Sequence, residues 1–358
     1  MPNDTTYARN HRHQRGALPK IWYDLTMTMD VEAVEFRGAG GVDVIHMGTT
    51  KIRSAGVGEV VVEIAAAGLN RADIMQRKGL YPAPAGAPAS IPGLEFSGTV
   101  VTCGPNASRW SIGAHVMGIV GGGAMARRIV VHERELMPVP HGVSLVDAAA
   151  IPEVFLTAWD AFTQANLVAG EVVLIHAAAS GVGTAALQLC RAMGVRALAT
   201  TRTADKLAAL TAFGLAEADG IAVTDATFAS AVQARTPHGN GVNMILDCVG
   251  AAYFEENLRA LAPRGRMVML GMMGGATGQA PLGLVLGKRA TVIGTVMRAR
   301  PLEEKIALAQ AGSARLVPMF ERGLLHPVVD VRLPMAQCAS AHQAMEANRN
   351  VGKILLTW

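Results

Sequence analysis

The chain has 358 residues, 51% of them hydrophobic and only 17% charged, with 39 glycines. That length favours two domains of roughly 100–200 residues each, large enough to form a core without disulfide or metal staples, and the composition excludes a disordered chain. The formal charge of +4 invites a polyanion reading, but half of the excess sits in residues 1–28, where Arg9, Arg12, Arg15 and Lys20 face Asp4 and Asp24, so the near-neutral remainder offers no nucleic-acid-binding stripe.

Residues 1–28 are polar, basic and aperiodic, and are expected to form a disordered leader outside the fold. They contain no apolar segment of the kind that directs secretion. From Val31 to about Pro152 the texture is β-like, with short apolar runs at 59–66, 98–102, 115–120 and 128–131 punctuated by Gly and Pro. Pro82, Pro84, Pro88 and Pro92 mark a long loop. Two stretches here, Arg71–Lys78 and Leu145–Thr163, carry helical spacing.

The pattern then changes to strands alternating with helices. Apolar runs at 171–177, 196–201, 221–224, 242–249 and 266–271 are separated by helical spacing over 181–194, 204–213, 227–235 and 253–261. Uninterrupted apolar strands between amphipathic helices predict a parallel sheet covered on both faces. A further strand is expected over Thr291–Met297. The tail follows with helices at 302–323 and 336–348 and strands at 328–333 and 353–357, and is expected to rejoin the first domain. The long uncharged window Met267–Gly287 carries six Gly and a Pro, which argues against a membrane span. Cys103, Cys190, Cys248 and Cys338 are scattered, with no metal clip or redox pair, as suits a reducing, cytoplasmic setting. His176 ends an apolar strand and reads as a satisfied core histidine.

The first strand–turn–helix of the alternating part reads Ile175-His176-Ala177-Ala178-Ala179-Ser180-Gly181-Val182-Gly183. A dinucleotide pyrophosphate can approach the backbone at such a turn, where unpaired N–H groups and the helix dipole favour its charge. Ala178 and Ser180 stand where the usual Gly-x-Gly-x-x-Gly pattern has its first two glycines, so the evidence is the turn's context more than its letters. The second strand ends in Thr200-Thr201-Arg202-Thr203, followed by Lys206, with no acid to hold a ribose 2′-hydroxyl. Read as ligands rather than solvated surface cations, Arg202 and Lys206 fit a 2′-phosphate, hence NADPH over NADH.

The motifs Ala67-Gly68-Leu69-Asn70-Arg71-Ala72-Asp73, Gly79-Leu80-Tyr81-Pro82, Pro92-Gly93-Leu94-Glu95-Phe96-Ser97-Gly98, Leu246-Asp247-Cys248-Val249-Gly250 and Val351-Gly352-Lys353-Ile354 resemble those of medium-chain dehydrogenase/reductases. Met75-Gln76-Arg77 and Ala150-Ile151-Pro152-Glu153 resemble the zinc-free quinone oxidoreductase branch. The resemblance covers about 29–358. It implies an α/β protein: a GroES-like β-rich catalytic domain from 29–153 and 300–358, plus a Rossmann doubly wound parallel sheet over 154–299. It further implies a cleft between the domains and a homodimer paired through the strand at 291–297. Zinc-dependent relatives place Cys near position 69 and His at position 94; this chain has Leu69 or Asn70 at the first place and Leu94 at the second, so no metal is expected.

Hydride transfer without a Lewis acid suits an acceptor that is already electrophilic, a quinone or an activated alkene, so a quinone oxidoreductase is expected. An enoyl thioester or alkenal reductase shares every motif. A non-enzymatic NADPH-binding or RNA-binding protein is the alternative from another class. Asn70 and Asp73, three apart at a helix start, either line the substrate cleft or cap the helix. Tyr81 either donates a hydrogen bond or proton beside the nicotinamide or packs on Pro82. The resemblance also places Thr157, Gly271, Met272, Thr295, Val296, Met297 and Asn348 near the cofactor, with Ser180, Gly181, Val182, Gly183, Arg202, Thr203 and Lys206.

Overall fold

The computed structural model describes residues 28–358. All but the last residue of the expected leader therefore lies outside the described residues. Thr28 already opens strand β1 (Thr28–Phe36), which pairs antiparallel with β2 (Ile45–Arg53). This pair carries no continuous apolar run, and its half-exposed alternation is why it went unread in the sequence.

The β-rich unit is built on β3 (Glu59–Leu69), followed by helix α1 (Arg71–Arg77) and strands β4 (Glu95–Cys103), β5 (His115–Ile119), β6 (Arg128–His132) and β7 (Leu136–Pro138). The expected helix over 145–163 is shorter. Residues 147–150 form a 3-10 turn, and helix α2 (Pro152–Gln164) starts at its proline. The ring suits a first helical position, where the N–H it lacks would have no intrahelical acceptor.

The alternating part follows as β8 (Val172–Ile175), α3 (Gly181–Met193), β9 (Arg196–Thr201), α4 (Ala204–Leu210), β10 (Gly220–Ala222), α5 (Ala229–Ala234), β11 (Val242–Asp247), α6 (Phe254–Ala260), β12 (Leu261–Met269), α7 (Leu282–Lys288) and β13 (Thr291–Gly294). Among the described residues its strands form one parallel sheet in the order β10-β9-β8-β11-β12-β13. That order reverses direction beside β8, the crevice at which doubly wound sheets take ligands.

The chain closes with α8 (Leu302–Arg315), α9 (Val317–Glu321), β14 (Val329–Pro334), α10 (Cys338–Glu346) and β15 (Lys353–Thr357). The continuous helix expected over 302–323 is broken ahead of Pro318. β15 lies antiparallel to β3, pairing Ile354 with Leu69 and Leu356 with Ala67, and β14 extends the same sheet. Its order is β14-β15-β3-β4-β5-β7, with β6 also on β3.

One apolar cluster fills the β-rich unit with Phe36, Val62, Phe96, Met125 and Ile354. A second lies on one face of the parallel sheet with Leu174, Leu198, Phe228 and Ile245. The third joins α2 to β8, α3 and α9 through Phe155, Phe162, Ile175, Leu187 and Phe320. Phe155 is 1% exposed and meets Phe320 edge-on, their ring centres 4.8 Å apart. Phe155→Ala should therefore cost about 3–5 kcal/mol, read as a lowered urea midpoint at unchanged slope.

Candidate active site

The turn after β8 is built for close approach. Ala177 adopts a φ of +47°, and Ser180 caps α3 by accepting the Gly183 N–H on its Oγ at 3.1 Å. A Cβ on Gly183 would stand 2.4 Å from Ala178 O, so glycine is what lets helix and strand meet here. The N–H groups of Gly181 and Val182 have no intrahelical acceptor by geometry and point from the helix start, as an anionic ligand requires. The residues expected at this turn, Ser180 to Gly183, do stand together.

Beneath that turn lies a buried charged cluster that the sequence reading did not assemble. Lys353, 3% exposed, opens β15, and its stem carbon would be 2.7 Å from a Cβ on Gly181. Its Nζ donates to Leu69 O at 2.8 Å and to Asn70 Oδ1 at 2.6 Å, and pairs with Glu95 Oε1 at 2.6 Å. Asn70 Nδ2 donates to Gly68 O and to the same Glu95 oxygen. The second Glu95 oxygen accepts the N–H of Glu153 at 2.8 Å. The signal in the sequence was a lone Lys before Ile354-Leu355-Leu356 and a lone Glu between Leu94 and Phe96, since charges in apolar strands need partners.

Asn70 is thus buried at the entry to α1, its amide fixed by Lys353. Asp73 differs from the catalytic expectation. It is fully buried, and its two oxygens accept the N–H groups of Asn70 at 2.8 Å and Gly93 at 2.9 Å. It holds the entry to α1 and presents neither oxygen to a ligand. Burial pushes its carboxyl up to about 6.

Glu153, half-buried in the first turn of α2, closes the Ala150-Ile151-Pro152-Glu153 motif. Burial, with Glu95 and Asp73 adding, pushes its carboxyl up to about 7 against the opposing pull of Lys353. One helical turn on, Thr157 is buried and its hydroxyl has no partner among the described residues. An orphaned buried hydroxyl on the face shared with Glu153 is a waiting hydrogen bond.

Tyr81 sits under Arg298, whose guanidinium lies 5.2 Å from the ring centre and donates to Tyr81 O at 3.1 Å. Arg298 is itself buried and donates to Gly121 O and Gln76 Oε1. It reaches from just beyond β13 into the β-rich unit, a long-range tie with no sequence signature. Thr295 Oγ1 lies within hydrogen-bond distance of Gln164, Arg300 and Asp160, so that network occupies the hydroxyl. Gly271 is half-buried beside Cys248 O, Met272 and Val296 are exposed, and Met297 packs on the core. His176 is a core histidine: its nitrogens meet Thr200 Oγ1 and Asn257 Oδ1, and burial holds it down at about 4.

At the end of β9, Arg202 and Thr203 are exposed, while Lys206 Nζ donates to Asn348 O at 2.7 Å and Asn350 O at 3.0 Å. Asn348, expected near the cofactor, spends its amide on Arg71 and Glu346 O. Arg71 was not among the expected site residues. A zinc ion does not fit the donor set: Leu69 and Leu94 are buried hydrocarbon, Glu95 is neutralised by an ammonium, and no cluster of three His, Cys, Asp or Glu forms among the described residues.

Lys353→Met leaves the Glu95 carboxylate buried without its cation and should cost about 3–5 kcal/mol, most of it recovered by adding Glu95→Gln, as unfolding curves would show. Glu153 supplies a pH test. Its folded-state value lies above the unfolded one, so its contribution to stability is present below about pH 4.5 and lost as pH rises through about 7. Glu153→Gln should therefore gain stability relative to the parent above pH 7 and not at pH 4.5.

Residues 56–141 match the alcohol dehydrogenase GroES-like domain family and residues 181–311 the zinc-binding dehydrogenase family. The chain is 31% identical over 327 residues to the quinone oxidoreductase of Pseudomonas aeruginosa strain PAO1, covering 90% of this chain and 98% of that one. It is 29% identical over 336 residues to the human synaptic vesicle membrane protein VAT-1 homolog, covering 89% and 84%. Among solved structures the CurK enoyl reductase superposes with a TM-score of 0.79 at 26% identity, over 92% of this chain and 99% of the other. A β-rich GroES-like unit beside a doubly wound parallel sheet and near full-length similarity lead to one assignment: the chain belongs to the quinone-oxidoreductase-like branch of the medium-chain dehydrogenase/reductases, oxidoreductases that use nicotinamide cofactors.

Proposed function

We propose that this protein is an NADPH-dependent, metal-independent reductase that passes hydride to quinones or to alkenes conjugated with a carbonyl. The observation that carries the reading is the Lys353 ammonium clasped by Glu95 and Asn70 between the dinucleotide turn and α1. Where a zinc-dependent relative would need carboxylate, thiolate or imidazole ligands, this chain fixes an amide and buries an ion pair. The acceptor must then bring its own electrophilicity, and the protein's task is to position it and exclude water.

The bound nicotinamide supplies the hydride. Gly181 to Gly183 hold the pyrophosphate, with Ser180 fixing the helix start. Thr157 offers its unpartnered hydroxyl to the nicotinamide carboxamide, flanked by Gly271, Met272, Val296 and Met297. Arg202, Thr203 and Lys206 take the 2′-phosphate. Tyr81, steadied by Arg298, delivers a proton to the oxygen that gains charge in the acceptor. Asn70, whose amide is spent on Lys353, Gly68 O and Glu95, is a positioning residue at the head of α1, and Asp73 holds its backbone N–H.

The catalytic unit is taken as 29–153 with 300–358, and the NADPH unit as 154–299. The assembly is a homodimer paired through edge strand β13, which exposes Val292. Four free cysteines are consistent with a cytoplasmic protein. No helix among the described residues is long and apolar enough to cross a membrane. An enoyl thioester reductase is the second reading, supported by the likeness to the CurK enoyl reductase.

Steady-state NADPH oxidation with quinones, enones and enoyl thioesters separates the two. Quinones or simple enones should turn over best, unaffected by a chelator, and Tyr81→Phe should lower kcat by about 10²- to 10⁴-fold. A preference for enoyl thioesters favours the second reading. Loss of activity to a chelator with recovery on adding zinc overturns the metal-free chemistry, and no turnover of any acceptor overturns the enzyme.

A further inference from the structure

Two cations converge on one residue of the tail, and a third, Arg202, is close enough for its charge to act on both. Arg71 opens α1 in the β-rich unit, and its NH2 group donates to Asn348 Oδ1 at 2.6 Å and to Met345 O at 3.2 Å. Lys206 comes from α4 beside the parallel sheet and donates to the backbone oxygen of the same Asn348 at 2.7 Å. Asn348 stands in the left-handed region at φ +53°, and its Nδ2 donates to Glu346 O at 2.7 Å, which fixes the amide with Oδ1 toward Arg71. One turn therefore grips a guanidinium from one unit and an ammonium from the other. Arg202, exposed at the end of β9, makes no hydrogen bond or ion pair with another described residue.

The acids nearby offset these charges only in part. Burial first holds Arg71 and Lys206 below their ordinary values and the charge of Arg202 adds to it, while Glu346 opposes the shift at Arg71 and Asp205 and Asp330 oppose it at Lys206. The carboxylates that face them have other partners. Glu346 pairs with Arg77 and Lys78, Asp205 with the Thr203 side chain, and Asp330 accepts the Val351 N–H. Holding like charges together costs free energy, which a dianion placed among them returns. Among the described residues Arg71 keeps Nε and NH1 free of partners, and Lys206 keeps one of its three N–H donors.

We propose that Arg71 is the third cation of the ribose 2′-phosphate site, reaching it from the β-rich unit across the Asn348 turn. Phosphomonoester recognition then needs both units. The cofactor's 2′-phosphate draws α1 and α4 onto the same tail turn, so cofactor choice and the docking of the units become one event. Asn348 acts as the clasp that sets the two cations and does not itself touch the phosphate. This inference rests on the NADPH reading above.

The test is equilibrium binding to the full chain, followed by fluorescence or calorimetry, with NADPH, NADH, adenosine 2′-monophosphate and adenosine 5′-monophosphate. Arg71→Met should weaken NADPH and the 2′-monophosphate by about 10- to 100-fold, the loss of one charged hydrogen-bond donor, and leave NADH and the 5′-monophosphate within about twofold. Arg71→Lys, which keeps the charge if the Met variant folds poorly, should recover part of the loss. Equal weakening of NADPH and NADH makes Arg71 a structural tie and overturns the proposal, as does an unchanged ratio in the variants. If the parent prefers NADPH, and Arg202→Ala or Lys206→Met removes that preference while Arg71→Met does not, this inference alone fails. If the parent shows no preference for NADPH, the cofactor reading fails and takes this proposal with it.

Discussion

The Lys353 ammonium is the interaction on which the rest of the architecture turns. It lies where three separately specified pieces meet: the end of β3 at Leu69, the entry to α1 at Asn70, and the start of β4 at Glu95. Its stem runs under Gly181, so the same side chain supports the dinucleotide turn. A buried ammonium is tolerable only when its donors are all met, and here a carbonyl, an amide oxygen and a carboxylate meet them. That requirement pins the register of β15 beside β3.

Around that point the protein uses single residues to tie one unit to the other. Arg298 crosses from the strand edge to Gly121, Gln76 and Tyr81. Asn348 collects Arg71 and Lys206. Gly352 bridges to Ser180, its N–H donating to Ala179 O at 2.9 Å. Beneath these polar ties lies the apolar seam of Phe155, Phe162 and Phe320. The seam contributes apolar burial, and the polar groups define the alignment, because apolar contact alone is indifferent to small slides.

Most of the alternating half was legible as local pattern. The strand over 196–201 and the helix starting at Gly181 stand where apolar runs and helical spacing place them. Departures came where proline or exposure intervened: the late start of α2 at Pro152, the break before Pro318, and the half-exposed β1–β2 pair. The site was legible in part. Gly183 and Ser180 carry a local motif, whereas Lys353, Arg298 and Arg71 act on residues hundreds of positions away, and no spacing rule connects them.

The sequence by itself determined the two textures and the parallel sheet with the tight turn before α3, since each depends on residues close together in the chain. Only the tertiary structure decided what the charged side chains do. It turned Asp73 from a candidate in the cleft into a buried anchor, spent the Asn348 amide on Arg71, and drew Lys353 to Glu95. The physical reason is range. Backbone periodicity is set within a few residues, but a buried charge is satisfied by whichever partner folding delivers, and that partner is chosen by the packing of the whole chain.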